Sequence, residues 1–245
     1  MYLFFVDGQE IGEQEARITG SDVNHIRNVL RMKPGDKLRI SDGESRCYNC
    51  QIQAFEEAAV ILSLLSRDED GTELPARIVL FQGLPKGDKM EFVIQKTVEL
   101  GAFRIVPVAT RRSVVRLDEK KAEAKLRRWS AISESAAKQS KRTVVPEVGP
   151  ILSFKQAVDM AAGFDVKLFP YEHAEGMEET RQILSQAASG MEIAVFIGPE
   201  GGFEEEEVEY AKTKGFLPIT LGRRILRTET AGMALLSALM FQLEK

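Results

Sequence analysis

The sequence predicts two domains of different fold class: a small β-barrel over residues 1–70, and an α/β domain with a largely parallel sheet over residues 77–245. The first observation is that residues 1–70 consist of short strand-like segments separated by turn residues, with one helical segment among them. The second is that strand-like and helix-like segments alternate after residue 77, which is typical of a parallel sheet covered on both faces. The third is the polar stretch 67–76, which contains Pro and Gly and predicts a linker over residues 71–76.

The barrel is expected to contain five strands and one helix. Turn residues such as those at 34–36 and 42–43 bound the strands. The predicted strands are residues 2–6, 15–19, 37–41, 46–55 and 59–65. The helix is expected to begin at Ser21, whose hydroxyl can cap it, because apolar residues follow at helical spacing. These apolar residues are Val23, Ile26 and Leu30.

The α/β domain is expected to open with a strand over residues 77–84 and a helix that begins at Asp88. Asp88 and Glu91 have the spacing of a capping box, and Gly101 is expected to end this helix. Helix-like segments then separate most of the later strands. Those strands are residues 103–108, 143–148, 165–169, 193–197 and 217–221.

Composition argues against a membrane protein and against a metalloprotein. No apolar run approaches 18 residues, and the N-terminus lacks the basic region of a signal peptide, so we expect a cytoplasmic protein. Cys47 and Cys50 lie on a predicted strand, and the chain has two histidines. Because zinc needs about four ligands, we expect ordinary thiols and no metal site.

The charges are segregated, although the net charge is only −4. Residues 111–142 contain eleven Lys/Arg and four Asp/Glu, a net charge of +7, so the other 213 residues carry −11. Such a basic segment can bind phosphates locally on an acidic protein. A solvated helix face explains this feature equally well.

Two glycine-bearing loops are expected at one edge of the parallel sheet. The segments 198–202 and 222–224 each follow a predicted strand. Because ligands bind at the carboxyl ends of parallel strands, these loops can form one cleft if their strands are neighbours. The glycine spacing fits neither a dinucleotide-binding nor a P-loop fingerprint. Glu200 and the glutamates at 204–207 would also repel a pyrophosphate, although the latter can complement a helix dipole.

The second loop places two apolar residues, Ile225 and Leu226, among three arginines. Apolar loop residues either anchor a loop to the core or contact a flat ligand such as adenine. Arg227, next to them, could then face an anionic substrate.

Several motifs in order along the chain resemble one family. "IGPEGGF" and "LGRRILRTETA", preceded by "KGDKMEFVIQKTVELGAFRIVPV" and "SESAAKQSKR", are similar to the RsmE family of 16S ribosomal RNA uridine-N3 methyltransferases. That family belongs to the SPOUT class of knotted methyltransferases. The amino-terminal "HIRNVLRMKPGD" resembles the family's PUA-like RNA-binding domain.

The resemblance implies an S-adenosylmethionine (AdoMet) site in a trefoil knot formed by the last strands and the carboxyl-terminal helix. It also implies a homodimer that acts on 16S rRNA, with the cofactor pocket near the dimer interface. Backbone groups would bind the adenine, while Ile225 and Leu226 supply apolar contact. The implied cofactor-binding residues are Phe169, Pro170, Tyr171, Gly198, Glu200, Gly201, Gly202, Leu221, Gly222, Arg223, Ile225 and Leu226.

Methylation at N3 of uridine requires loss of the N3 proton or stabilisation of the anion. A guanidinium against a uridine oxygen would stabilise that anion, and Arg227 is the expected residue. Glu229 is either the proton acceptor or an ordinary residue at a helix start. The residues expected to hold the RNA backbone, or to lie on a solvated surface, are Arg27, Arg31, Lys33, Arg111, Arg112, Gln139 and Arg142.

Three other functions are compatible with parts of the sequence. An RNA-binding protein without catalysis would explain the barrel and the basic helix, but not the intact second loop. A metabolic α/β enzyme that binds another nucleotide would not explain the appended barrel. A methyltransferase of the same class that acts on another RNA would explain all of these features.

Overall fold

The computed structural model describes residues 1–44, 46–68, 71–115, 117–174 and 176–244. The chain forms two compact units. The first consists of Met1–Glu73 with Ala137–Val145, and the second of Leu74–Ala136 with Pro146–Lys245. Residues 137–145 therefore pack with the first unit, although they lie inside the range predicted for the α/β domain. Ser45, Glu69 and Asp70 of the predicted barrel lie outside the described residues.

The first unit is built around a curled five-stranded sheet. Its strands are β1 (Leu3–Phe5), β2 (Glu15–Thr19), β3 (Lys37–Ser41), β4 (Cys47–Phe55) and β5 (Ala59–Arg67), and the order is β1-β3-β4-β5-β2. The β1–β3 pair is parallel and the other pairs are antiparallel. Register shifts in β4 bend this strand. Alternate residues of the strands enclose an apolar core, so the five predicted strands are confirmed.

A short helix closes one end of this core. It begins as α1 (Ser21–Asn24), and the next five residues, His25–Val29, form a π-helical turn. Ser21 is the first helical residue and Gly20 occupies the cap, so the predicted cap at Ser21 is wrong. Ile26 faces the core and is fully buried. Arg31, just beyond the turn, has a left-handed backbone with φ 55°.

The second unit contains a parallel sheet. Its strands are β6 (Arg77–Gly83), β7 (Arg104–Ala109), β8 (Glu147–Val148), β9 (Leu152–Ser153), β10 (Val166–Pro170), β11 (Glu192–Ile197) and β12 (Leu217–Ile219). The order is β12-β10-β11-β6-β7-β8, and β9 also pairs with β7. Every pair is parallel. The predicted fold class, an α/β domain with a parallel sheet after a small β domain, is confirmed.

Among the described residues, six helices accompany this sheet. They are α2 (Lys89–Glu99), α3 (Glu119–Ser140), α4 (Phe154–Met160), α5 (Met177–Leu184), α6 (Glu205–Thr213) and α7 (Thr228–Leu243), with the last residues of α3 in the first unit. Asp88 stands at the start of α2 but its side chain makes no cap hydrogen bond, so the predicted capping box is wrong. After the edge strand β12, the chain returns to place α7 against α2, β6 and β11. None of the described helices is long and apolar enough to cross a membrane.

An aromatic cluster fills one side of the sheet. The Phe81 and Phe196 rings stack 4.4 Å apart between their centroids, and Phe169 and Phe203 lie 4.3 Å apart. Phe203 belongs to the loop after β11, so this core anchors that loop from below.

Candidate functional site

Four loops emerge at one edge of the parallel sheet. They follow β6, β10, β11 and β12, which are adjacent in the order β12-β10-β11-β6, so their carboxyl ends lie side by side. The strands of the two glycine-bearing loops, β11 and β12, are not direct neighbours. Strand β10 lies between them, so the loop that begins at Tyr171 lies between the two glycine-bearing loops.

The loop after β11 packs closely on the end of β6. A Cβ atom at Gly83 would lie 2.6 Å from Pro199 Cδ and 2.7 Å from Pro199 N, which leaves no room for a side chain at this position. Within the loop, the backbone N–H of Gly202 donates to Pro199 O at 2.9 Å. The loop 198–202 is therefore a tight turn held against the sheet rather than a free flap.

A buried hydrogen-bond chain joins β6, this loop and the start of α7. Gln82 Nε2 donates to Thr228 Oγ1 at 2.9 Å and to Gly83 O at 3.0 Å, and Thr228 Oγ1 donates to Gly198 O at 2.5 Å. Thr228 has one hydroxyl proton, which goes to Gly198, so Gln82 must present its amide N–H groups to Thr228. Gln82 Oε1 is buried and has no hydrogen-bond partner among the described residues. These hydrogen bonds fix the first turn of α7 relative to the glycine loop.

Two carboxylates and one ammonium lie beside these hydrogen-bonded residues. Lys89 Nζ donates to Glu200 Oε1 at 2.7 Å and lies 3.9 Å from Glu229 Oε2. The backbone N–H of Lys86 also donates to Glu200 Oε1, at 3.1 Å. Partial burial acts to raise the pKa of Glu200. The hydrogen bonds from Lys89 and from the backbone outweigh it, so the pKa of Glu200 lies below its ordinary value. Glu229 Oε2 is buried without a hydrogen-bond partner among the described residues.

Arg111 and Arg112, predicted to hold RNA, bind the turn and helix that follow β11. Arg112 Nη1 donates to Gly201 O at 2.8 Å, and Arg112 Nε donates to Glu204 Oε1 at 2.9 Å. The hydrogen bond from Arg112 lowers the pKa of Glu204. The backbone N–H of Arg111 donates to Glu207 Oε1 at 2.9 Å, and its guanidinium pairs with Glu206. Both arginines thus support the cofactor loop predicted from the sequence.

The arginines of the loop after β12 differ from Arg111 and Arg112, because their guanidinium groups have no partner among the described residues. Arg223, Arg224 and Arg227 are exposed and, within the described part of the chain, make no hydrogen bond or ion pair through their guanidinium groups. Ile225 is 81% exposed, whereas Leu226 is half-buried. Because Ile225 is so exposed, its side chain does not anchor the loop to the core. This removes one of the two interpretations for this residue.

Gly222 opens this loop with a backbone that favours glycine. Its φ is 106°, and its N–H donates to Thr220 Oγ1 at 3.2 Å. Leu221, just before it, is half-buried. The turn at Gly222 leads the chain away from β12 toward the first turn of α7.

The predicted residues after β10 separate into core and edge. Phe169 is 1% exposed and packs in the aromatic cluster, so its burial does not support contact with a cofactor. Pro170 and Tyr171 are half-buried, and the Tyr171 N–H donates to Ile219 O at 3.0 Å. Tyr171 is therefore held at the carboxyl edge beside β12.

The other predicted RNA-binding residues lie in the first unit, and they differ in exposure. Arg27, Arg31, Lys33 and Gln139 are exposed. The guanidinium of Arg27 lies 5.3 Å from the centroid of the Phe55 ring, and Nη2 donates to Glu56 O at 2.5 Å. By contrast, Arg142 is 3% exposed and its Nε donates to both oxygens of Glu73, at 3.1 and 3.3 Å. Its burial does not support the predicted contact with RNA.

Internal ion pairs take up most of the basic segment 111–142. Besides the arginines already described, Lys125 and Arg128 face Glu91, and Lys138 pairs with Asp22. Arg116 lies outside the described residues. The charge segregation seen in the sequence is therefore largely neutralised by carboxylates from elsewhere in the chain, and it is weak evidence for an RNA surface.

Sequence reasoning missed three residues that shape this site: Gln82, Lys89 and Thr228. A polar residue inside the apolar strand at 77–83 was a usable signal, because a buried amide needs partners. Thr228 is of a residue type that often caps helices, which does not by itself indicate a buried hydroxyl. Nothing local distinguishes Lys89 from Lys96, the other lysine of α2, since the partners of Lys89 are more than 100 residues away.

Comparison with known proteins gives matches along the whole chain. The profile of an RNA methyltransferase PUA domain matches residues 18–64, and that of an RNA methyltransferase domain matches residues 72–240. The chain is 38% identical over 247 residues to the ribosomal RNA small subunit methyltransferase E of Bacillus subtilis (strain 168), covering 99% of this chain and 96% of the relative.

Two solved structures are similar over nearly their full length. A ribosomal RNA small subunit methyltransferase E from Neisseria gonorrhoeae bound to S-adenosyl methionine is 34% identical with a TM-score of 0.84, covering 98% of this chain and 97% of that one. A putative methyltransferase from Legionella pneumophila in complex with the bound cofactor SAM is 32% identical with a TM-score of 0.82, covering 97% and 96%.

Proposed function

The chain belongs to the RNA methyltransferase family, and from this premise we propose that it transfers the methyl group of AdoMet to N3 of a uridine in 16S rRNA of the small ribosomal subunit. The observation that carries the proposal is the similarity over the full chain to small-subunit ribosomal RNA methyltransferases E. The gathering of four loops at the carboxyl edge supports it, because that edge is where α/β sheets bind ligands.

The residues at this edge fit AdoMet, which supplies an electrophilic methyl group on a sulfonium sulfur. The loops 198–202 and 221–226 and Tyr171 would hold it. Ile225 offers an exposed apolar side chain for a flat ring. The carboxylates of Glu200 and Glu229 suit a cationic ligand better than a pyrophosphate.

Arg227 stabilises the uridine N3 anion in this proposal. It stands at the start of α7, beside Leu226, and its guanidinium is exposed and has no partner among the described residues. In a chain where most cations of the basic segment are already paired, such a guanidinium is available to a uridine oxygen. A planar fork of donors aimed at developing negative charge favours loss of the N3 proton.

Glu229 accepts that proton. Its Oε2 is buried and takes no hydrogen bond from the described residues, so it has acceptor capacity to spare. A buried carboxylate oxygen without a donor is costly, which favours taking up a donor from the substrate. The ordinary interpretation, a glutamate that complements the helix dipole, does not explain why the oxygen is buried.

The RNA backbone would be held by the first unit. Arg27, Arg31, Lys33 and Gln139 are the exposed members of the predicted set. The π-helical turn and the left-handed backbone of Arg31 lie together here, and both features concentrate at functional sites. Because Arg111 and Arg112 bind carboxylates and Arg142 is buried, we assign these three to support of the fold.

We further propose that the protein acts as a homodimer in the cytoplasm, where ribosomal subunits assemble. Beyond its first turn, helix α7 is apolar apart from Ser237 and Gln242, which is typical of a helix that is mostly covered. Its inner face packs on the sheet, but Ala234, Ala238 and Phe241 form an exposed stripe, and Phe241 is 79% exposed. A second copy of the same helix would cover this stripe.

The test is mass mapping of methylated nucleosides in 16S rRNA from cells with and without the gene. Loss of 3-methyluridine at one position, restored by the intact gene, is the expected result. Loss of a different mark, or of a mark in another RNA, would contradict the uridine-N3 assignment. Calorimetry with AdoMet separates an enzyme from an RNA-binding protein without catalysis, which would bind RNA and give no heat with AdoMet.

A further inference from the structure

Lys89 lies between two carboxylates but binds only one of them. Its Nζ is 2.7 Å from Glu200 Oε1, a hydrogen bond, and 3.9 Å from Glu229 Oε2, beyond hydrogen-bond reach. The Glu229 oxygen is nevertheless the more buried acceptor, since the side chain of Glu229 is 17% exposed and that of Glu200 is 29% exposed. In the absence of Glu200, the ammonium would be attracted to Glu229.

Glu200 is fixed independently of Lys89. Its carboxylate also accepts the backbone N–H of Lys86, and its loop is held by the close packing of Pro199 on Gly83. The position of Glu200 therefore sets the position of the Lys89 ammonium, and not the reverse.

We propose that Glu200 and Lys89 are positioning residues: Glu200 keeps the Lys89 ammonium off Glu229, so that Glu229 Oε2 stays free to take the N3 proton of the substrate uridine. This inference rests on the proposed function. A carboxylate that accepts a direct hydrogen bond from an ammonium is a weaker base than one 3.9 Å away. It also offers one fewer lone pair to the substrate. Glu200 thus links the glycine loop to the proton transfer without touching the uridine.

A double-mutant cycle in single-turnover methyl transfer tests this coupling, with small ribosomal subunits from cells lacking the gene and saturating AdoMet. Glu200→Gln should release Lys89 toward Glu229 and slow transfer about tenfold, which corresponds to about 1.4 kcal/mol. The loss of rate at saturating AdoMet should exceed any loss of AdoMet affinity, which calorimetry measures separately. In the Lys89→Met background, the same Glu200→Gln change should have no further effect, because no ammonium is left to move.

The matched control is the pair Lys96–Glu99 on the same helix. Its bond is 2.9 Å, and its side chains are 34% and 29% exposed, the same values as for Lys89 and Glu200. Glu99→Gln should leave the transfer rate unchanged in either background. The inference is overturned if Glu200→Gln slows transfer equally with and without Lys89, or if it weakens AdoMet binding in proportion to the rate. Failure of the unchanged enzyme to form 3-methyluridine would instead overturn the proposed function, and this inference with it.

Discussion

Replacing Thr228 with valine removes one hydroxyl from the buried chain that joins β6, the glycine loop and α7, while the side chain keeps its shape. The hydroxyl accepts from Gln82 Nε2 and donates to Gly198 O. Gln82 is fully buried, so its unpaired N–H would cost about 1–3 kcal/mol. Gly198 is half-buried and can recover a water molecule, so the lost bond to its carbonyl would cost about 0.5–1.5 kcal/mol. We expect the free energy of unfolding to fall by about 1.5–4.5 kcal/mol.

The assay is urea denaturation followed by tryptophan fluorescence. Trp129 is the single tryptophan, it is 3% exposed, and it belongs to the second unit, so its emission reports on the unit that contains Thr228. The control is Thr230→Val, the same substitution at an exposed position one half-turn along α7. Thr228→Ser, which keeps the hydroxyl, should lose less stability than Thr228→Val. Equal stability of the two valine variants would refute the view that the hydrogen bonds of Thr228 with Gln82 and Gly198 stabilise the fold.

Three further predictions concern the arginines. Arg227→Ala should keep AdoMet affinity within a few-fold and slow single-turnover transfer at saturating RNA by roughly 10²–10³; near-normal rates would contradict its role. Joint replacement of Arg27 and Arg31 by alanine should remove up to about two phosphate contacts. The slope of RNA affinity against salt concentration should then be shallower, without a change in AdoMet affinity; an unchanged slope argues against this surface. Arg142→Met should leave the Glu73 carboxylate without a cation, with only the hydrogen bonds from Thr143 and Val144, and destabilise the first unit by about 3 kcal/mol, measured by hydrogen exchange; retained protection would show that the pair is dispensable.

Local patterns in the sequence predicted most of the elements. The strands at 15–19 and 37–41 have the predicted bounds, since alternation of side chains between two faces is a property of a few consecutive residues. Helix caps were predicted less well. Ser21 and Asp88 are suitable cap residues by type, but neither side chain makes the bond, because a cap also depends on the backbone path into the helix.

Charge was the feature that sequence alone described least well. The net charge of the segment 111–142 suggested a single basic surface, yet Arg111 pairs with Glu206 and Arg142 with Glu73. A count of charges along the chain cannot tell a solvated cation from a paired one. The exposed guanidinium of Arg227 and the buried one of Arg142 are indistinguishable until the fold is known.

What the sequence by itself determined is the class of each segment and the presence of two loops at the carboxyl edge of a parallel sheet. These follow from periodicity and from the rule that parallel strands share one direction. Only the tertiary structure decided which residues meet there. Gln82 and Thr228 are 146 positions apart, Lys89 and Glu200 are 111 apart, and Arg142 and Glu73 are 69 apart. No periodicity reaches across such distances, because these contacts form only when the order of strands and the return of the last helix bring distant segments together.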